Sequence, residues 1–472
     1  MTSSSLSASV AELVEAEPDR LFAARSYGVV TRAVGLLVEA EGVCAKTGNL
    51  CTLITGTGAE SATGSAEIDC EVVGFEGDKA YLMPLIRTSG VSPGMLVRLP
   101  VERQDDASIS LPPSTQLLGR VVDGMCAPID GGPPLRSTEP AAGISRINPM
   151  HRHPIDTPFD VGVGVINALN TIGRGQRVGL LAGSGVGKSV LLGMIARYAH
   201  ADVVVVGLIG ERGREVQEFV LHNLGAGLAK SVVVACPADD SAALRLRGAR
   251  LATRIAEKYR DEGKHVLLLM DSLTRVSQAQ REIGLAMGEP PSSKGYTPSS
   301  FAILPQLVER AGNGKSQDDG SITAFYTVLM EEDDLQDPVV DAARAILDGH
   351  IVLSREMAEQ GIYPAVDVGN SISRVMPRVA TDAQMSGAVK FRQLWQTYRE
   401  QQDLIAIGAY EPGGDPILDE AIALYPALCR FISQGEGEQQ LLSDKINQLS
   451  ELLMQNRMLA DTHAVNEALP AG

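Results

Sequence analysis

The segment Ala182-Gly183-Ser184-Gly185-Val186-Gly187-Lys188-Ser189 combines spaced glycines, a lysine and a hydroxyl. It follows the apolar run Gly179-Leu180-Leu181-Ala182 directly and precedes the helix-like Val190-Leu191-Leu192-Gly193-Met194. Strand, glycine-rich loop and helix in that order make a P-loop. The glycines let consecutive backbone N–H groups turn inward around phosphates, and the helix N-terminus adds positive dipole character. Gly183, Ser184, Gly185, Val186, Gly187, Lys188, Ser189 and Val190 are therefore the expected nucleotide-binding residues. Lys188 should reach the β- and γ-phosphates of ATP, and the Ser189 hydroxyl should ligate Mg²⁺. Ala182 stands where the simplest pattern has glycine. Strand-like backbone angles there would tolerate it.

The second half of such a site is an acid at the end of a neighbouring apolar strand. His265-Val266-Leu267-Leu268-Leu269-Met270-Asp271-Ser272 supplies one. Alone, Asp271 would read as a strand-end turn or a helix N-cap; paired with the P-loop, it is expected to hold Mg²⁺ through water. Phosphoryl transfer to water also needs a carboxylate to orient the attacking water and a cation for the γ-phosphate. The dense cluster Gly210-Glu211-Arg212-Gly213-Arg214-Glu215 follows the strand-like Val203 to Leu208. Ligands of open α/β sheets bind at that carboxyl end. Spacing alone leaves a solvated charged turn equally open.

These residues need a rigid platform. From Gly179 to about Arg378, continuous apolar runs alternate with helical stretches, as in a parallel sheet covered on both faces. Before it, Gly28–Val30, Gly35–Val38, Leu50–Ile54, Glu71–Phe75, Lys79–Met83 and Met95–Arg98 are short β-rich runs between glycine turns. They predict a small closed barrel, structural or oligomerising, since stacking aromatics and positive charge for oligonucleotides are missing. Residues 116 to 160 read as a connecting segment. Leu442, Ile446, Leu449, Leu453 and Leu459 mark an amphipathic stripe in a helical tail. In the leader, Val10, Leu13, Val14 and Leu21 share one helical face, which suits either a frayed helix or a partner-docking one. The expected division is a docking segment over 1–22, a barrel over 23–98, an ATPase domain over 99–380 and a helical domain over 381–472.

Composition narrows the partners. A net charge of −17 without a basic run argues against a protein that coats nucleic acid. The six cysteines are scattered, with no CxxC pair or zinc spacing, and read as reduced thiols. No stretch approaches the length of a membrane span, and the start has no signal-peptide pattern, so a cytoplasmic protein with at most peripheral membrane contact is expected.

Segments from Gly119–Gly124 through Val206–Val216, Met270–Pro291, Leu304–Gly314, Gly320–Leu329 and Ile346–Arg355 to Ser371–Val379 resemble the type III protein-export ATPases, the flagellar branch more than the injectisome branch. That family is related to the catalytic subunits of F- and V-type rotary ATPases and has a RecA-like α/β core between an N-terminal barrel and C-terminal helices. The resemblance implies that Glu211 is the catalytic glutamate with Arg212 as its phosphate-side neighbour. It implies that Tyr363, in Gly361-Ile362-Tyr363-Pro364, packs on adenine, and that Arg374, in Ser371-Ile372-Ser373-Arg374, is an arginine finger reaching into a neighbouring subunit. In rotary synthases the glutamate and the finger mostly sit on different chains. Both occur here, which favours a homohexamer over a synthase subunit. The acidic balance disfavours the similar RNA-translocating helicases, and the presence of Lys188 and Glu211 disfavours a non-catalytic scaffold. Implied partners are a coiled-coil stalk protein at the loop Glu289–Tyr296, a regulator at the leader, an export gate at the inner face of the cytoplasmic membrane and chaperone–substrate complexes.

Overall fold

The computed structural model describes residues 27–54, 67–86, 90–99, 111–136, 147–316, 318–330, 334 and 336–467, with side chains to 454. The leader carrying Val10, Leu13, Val14 and Leu21 lies outside these residues, as does the side chain of Leu459.

The first strands are β1 (Tyr27–Val34), β2 (Leu37–Glu41), β3 (Leu50–Ile54), β4 (Glu67–Glu76), β5 (Lys79–Pro84) and β6 (Leu96–Arg98). They close into an antiparallel barrel in the order β1-β2-β5-β4-β3-β6. Alternation places Val30, Val38, Leu53, Val72, Leu82 and Val97 inside, and closure leaves no unpaired edge. The run from Gly35 is not a strand at its start: Gly35 and Leu36 make the turn between β1 and β2, with Gly35 at φ 59°. A glycine fits there because an L side chain is strained at positive φ. All six cysteines are free.

Eleven further strands follow: β7 (Val121–Val122), β8 (Pro158–Phe159), β9 (Ile172–Gly173), β10 (Arg177–Ala182), β11 (Val203–Ile209), β12 (Ser231–Cys236), β13 (His265–Asp271), β14 (Gly312–Asn313), β15 (Ser321–Leu329), β16 (Gly349–Leu353) and β17 (Val366–Ser373). β8 and β9 form a separate ribbon. The main sheet runs β17-β16-β10-β15-β13-β11-β12-β7, with β14 attached to β15. From β16 to β7 every pairing is parallel, while β17 is antiparallel to β16. Apolar runs are required because helices cover both faces. Leu180, Val204, Leu267 and Phe325 enter one core, and their successors Leu181, Val205, Leu268 and Tyr326 enter the opposite one. The segment read as a connector contributes β7, which pairs with β12 through Val121 and Val233. Two residues between turns are too few to show a period.

Three helices, Asp382–Ala406, Pro416–Ile432 and Leu442–Glu467, follow the sheet. Thr381 and Asp415 cap the first two by accepting from Gln384 N and Ile417 N. Phe391 packs on Trp395 and Phe431, and Leu449 from the third helix joins the same core. Among the described residues no helix is long and apolar enough to cross a membrane.

Candidate active site

β10 lies between β16 and β15, so its carboxyl end opens beside those of β15, β13 and β11. Ala182 is its last residue, paired with Leu329, and its carbonyl accepts from Met330 N at 3.0 Å. The chain then turns through Gly185 and Gly187, at φ 79° and 90°, into the helix Lys188–Tyr198. Those two angles suit glycine and penalise any residue with a Cβ. Gly183, Ser184, Gly185, Gly187, Lys188, Ser189 and Val190 line a cavity of about 450 Å³ together with Glu211, Arg212, Glu215 and Arg275. Val186 instead turns its side chain into the core, leaving only its backbone for the loop.

Lys188 crosses β15 to reach two acids on separate strands. Its Nζ donates to Asp271 Oδ1 at 2.6 Å and to Glu211 Oε1 at 3.2 Å. Burial opposes the ammonium charge, but Asp271 and Glu211 outweigh it and hold Lys188 above its usual pKa. Glu211 responds oppositely. Burial and the nearby Asp271 push its carboxyl up to about 7, against the pull of Lys188. A carboxylate so tuned can take a proton from water near neutral pH. Asp271 also accepts from Thr327 Oγ1 at 2.6 Å, on the strand between.

Arg212 lines the cavity mouth but points outward, donating to Glu215 Oε1 at 3.1 Å. Tyr363 stands against the phosphate loop: a Cβ on Gly187 would lie 3.6 Å from Tyr363 Cε1. Its ring is 47% exposed, leaving a face for a base. Arg374 is not brought to this site. Gly349 pairs with Ser373 while His350 pairs with Gly179, so Arg374 lies at the amino end of the parallel strands. Five residues separate that level from the P-loop, roughly 16 Å of strand. Its guanidinium is exposed and donates to Arg344 O at 3.3 Å.

Two residues escaped the sequence reading, Thr327 behind Asp271 and Arg275 in the cavity wall. Thr327 carried a signal, since a hydroxyl inside a fully buried strand needs a partner. Arg275 follows Leu273 and Thr274 on a new helix, and nothing in its spacing aims it at the cavity.

A P-loop with a strand-end carboxylate and a second acid, on a mostly parallel sheet behind a barrel, defines a P-loop ATPase of the rotary type. Residues 162–373 match the ATP synthase alpha/beta family nucleotide-binding domain, and residues 380–451 match the T3SS EscN ATPase C-terminal domain. The flagellum-specific ATP synthase of Pseudomonas aeruginosa is 54% identical over 90% of this chain and 93% of its own. The Salmonella typhimurium protein of the same name is 53% identical over 92% and 95%. The assembled ATPase EscN of the enteropathogenic E. coli type III secretion system superposes with a TM-score of 0.81 at 40% identity, covering 90% of this chain and 100% of that one. The chain belongs to the flagellum-specific branch of the type III secretion ATPases, has their RecA-like fold and is an ATP hydrolase.

Two outcomes test the site. Between the unfolded carboxyl pKa near 4.3 and about 7, folded Glu211 holds the proton that the unfolded chain releases. Nucleotide-free stability should therefore fall as pH rises across that window and level off above it. Glu211→Gln lacks this penalty, so its advantage over wild type in thermal or denaturant unfolding should grow by on the order of 1–3 kcal/mol from pH 5 to 7.5. A constant difference would contradict the raised pKa. Thr327→Val keeps the volume and removes the donor to Asp271. ATPase turnover should fall about tenfold, matching one hydrogen bond to a charged group, whereas Thr327→Ser should stay near wild type.

Proposed function

We propose that the chain is the ATPase of a flagellar type III export apparatus and works as a ring of six identical subunits, each site completed by its neighbour. The observation that carries this reading is the separation of Arg374 from Lys188, Glu211 and Asp271 at opposite ends of one sheet. A cation exposed there cannot serve its own site but suits one on an adjacent copy. Identity above 50% to flagellar relatives, against 40% to an injectisome ATPase, supports the flagellar assignment.

In this mechanism the P-loop amides and Lys188 take the phosphates, and Lys188 exchanges carboxylate partners for phosphate oxygens. Tyr363 stacks on the adenine. Glu211 then orients water in line with the γ-phosphorus and receives its proton as the oxygen attacks, while the bond from the γ-phosphorus to the bridging oxygen breaks and ADP leaves with that oxygen. Arg212 lies phosphate-side of Glu211. Ser189 and Asp271 would hold Mg²⁺, since a hydroxyl and a carboxylate are the hard oxygen ligands that ion prefers. When bound, the ion neutralises charge on the β- and γ-phosphate oxygens. Arg374 stabilises the same charge from the neighbouring subunit.

The structure of EscN with its central stalk EscO supports a coiled-coil stalk inside the ring, met by Glu289–Tyr296. We assign the leader 1–22 to a regulator, 23–98 to the barrel, 99–380 to the ATPase domain and 381–472 to the helical domain. The cytoplasmic ring would meet the export gate and chaperone–substrate complexes at the inner membrane face.

Lys188→Ala should lose both tight ATP binding and hydrolysis. Glu211→Gln should bind ATP nearly normally and turn over about 10²–10⁴-fold more slowly. Near-wild-type turnover of Glu211→Gln would make Glu211 a structural charge. Arg374→Ala should lose about 10³–10⁵ in rate. Mixed with Lys188→Ala at hexamer-forming concentrations, it should regain phosphate release above both parents, because some interfaces pair an intact Lys188 with an intact Arg374. Full activity of Arg374→Ala alone would end the finger assignment.

A further inference from the structure

Between the helices Pro416–Ile432 and Leu442–Glu467 the chain makes an elbow, residues 433–441, without helix or strand. Backbone polar groups in such a segment must find partners elsewhere. Here they find them on two parts of the nucleotide site. Gln434 N donates to Tyr363 O at 2.8 Å. At the far end of the P-loop helix, Arg197 Nη2 and Tyr198 Oη donate to Glu436 O at 3.0 and 3.2 Å.

The Gln434 side chain is buried, 6% exposed, and its amide is used at both ends. Oε1 accepts from Gly164 N at 2.8 Å, while Nε2 donates to Gly162 O at 2.9 Å and to Glu438 O at 2.7 Å. The position of residue 434 is thereby fixed against the turn that leads into the core of the ATPase domain. Tyr363 has no comparable support of its own. Among the described residues no hydrogen bond holds its hydroxyl, and its half-exposed ring stands where its backbone puts it. Its chain neighbours are held by Ile362 N donating to Met357 O at 2.9 Å and Ser354 N donating to Ala365 O at 2.8 Å, and the N–H of Gln434 is the tether on Tyr363 itself.

We propose that Gln434 is a positioning residue for base recognition: its N–H holds Tyr363 in place to stack on a purine, and its buried amide anchors that wall to Gly162 and Gly164. The proposal rests on Tyr363 being the base-stacking residue. It separates the two ends of the nucleotide. The phosphate grip belongs to the P-loop, while the base grip belongs jointly to Tyr363 and the C-terminal elbow.

The test compares Gln434→Ala, Tyr363→Ala and the double variant by steady-state ATPase, with inorganic tripolyphosphate as a competitor that has phosphates but no base. Gln434→Ala should raise KM for ATP about tenfold, the scale of a lost base–aromatic stack. It should leave kcat within about twofold and the tripolyphosphate inhibition constant unchanged, the pattern of binding lost equally from ground and transition states. The double variant should be no worse than Tyr363→Ala, since both remove one interaction. Gly164→Ala is a milder probe: its Cβ would crowd Gln440 Oε1 and the Lys445 stem, pushing on the elbow without touching the site. It should reproduce a smaller KM rise and carries the test if Gln434→Ala does not fold. Equal changes in KM and tripolyphosphate inhibition, or fully additive losses in the double variant, would show a general loosening and overturn the positioning role. An unchanged KM in Gln434→Ala and Gly164→Ala would overturn it too. If Tyr363→Ala leaves KM unchanged, the stacking assignment itself fails, and the Gln434 role fails with it.

Discussion

A lysine ammonium removed from water has to be matched by negative charge, and in this chain that requirement ties three strand ends together. The Lys188 side chain is 12% exposed, and its counter-charges come from Glu211, two residues past the end of β11, and Asp271, the last residue of β13. Neither acid is local to the P-loop in sequence. An unpaired buried charge costs several kcal/mol, so the order β10-β15-β13-β11 is an electrostatic as well as a hydrophobic solution. It also readies the site. Two carboxylates around one ammonium leave a surplus negative charge, and the protein resolves it by raising the proton affinity of Glu211. Triphosphate brings still more negative charge, and Lys188 is the group that can turn to meet it. In the proposed mechanism the residue that takes the phosphate thus also controls the freedom of the residue that activates water.

The polarity of a parallel sheet separates Arg374 from the nucleotide edge. Every strand from β16 to β7 ends at the nucleotide edge, so whatever sits at the strand starts faces away from it. Arg374 is held at that remote edge by a buried set of contacts. Its backbone N donates to Asp348 O at 3.0 Å, and the preceding Ser373 hydroxyl accepts from Gln176 Nε2 at 3.1 Å and donates to Thr171 O at 2.8 Å. So well-anchored a backbone holds this surface arginine at a fixed place on that edge, which is what the proposed finger role needs. The same geometry keeps the Arg374 charge clear of Lys188 in its own chain, where a second cation would compete for Asp271 and Glu211.

What could be read from sequence follows the range of the interactions. The P-loop and the apolar strands were legible because glycine spacing and continuous hydrophobic runs are local. Asp271 was legible only by its position after such a run, and Glu211, Tyr363 and Arg374 only by resemblance. β7 was too short to show a period. β17, with the sequence Val-Asp-Val-Gly-Asn-Ser-Ile-Ser, is an edge strand with several exposed positions and so lacks the apolar pattern of its neighbours. Thr327 signalled only that its hydroxyl needs a partner, and Gln434 left no local trace of its role, because those partners are distant: Thr327 meets Asp271 from 56 residues away, and Gln434 meets Gly164 from 270. Such contacts are products of the fold.

Buried glutamines recur wherever irregular chain must be held against this core. Gln176 joins β10 to the segment bearing Arg374, donating to Asp348 O and Ser373 Oγ while accepting from Gly173 N. Gln384 donates to Thr171 Oγ1 and to the carbonyls of Asn167 and Ala168, where the helix Gly164–Leu169 ends and leaves acceptors unmet. Gln434 does the same for the elbow. An amide suits this work because it offers donors and an acceptor without a charge, so burial costs little once all are used. A carboxylate in any of these places would add negative charge to an interior that already carries Glu211 and Asp271, and a leucine would leave main-chain groups unpaired. The regular strands set the position of the phosphate loop through apolar packing and their backbone ladder. The segment bearing Arg374, the first C-terminal helix and the wall beside Gly187 are each held by one neutral, buried amide.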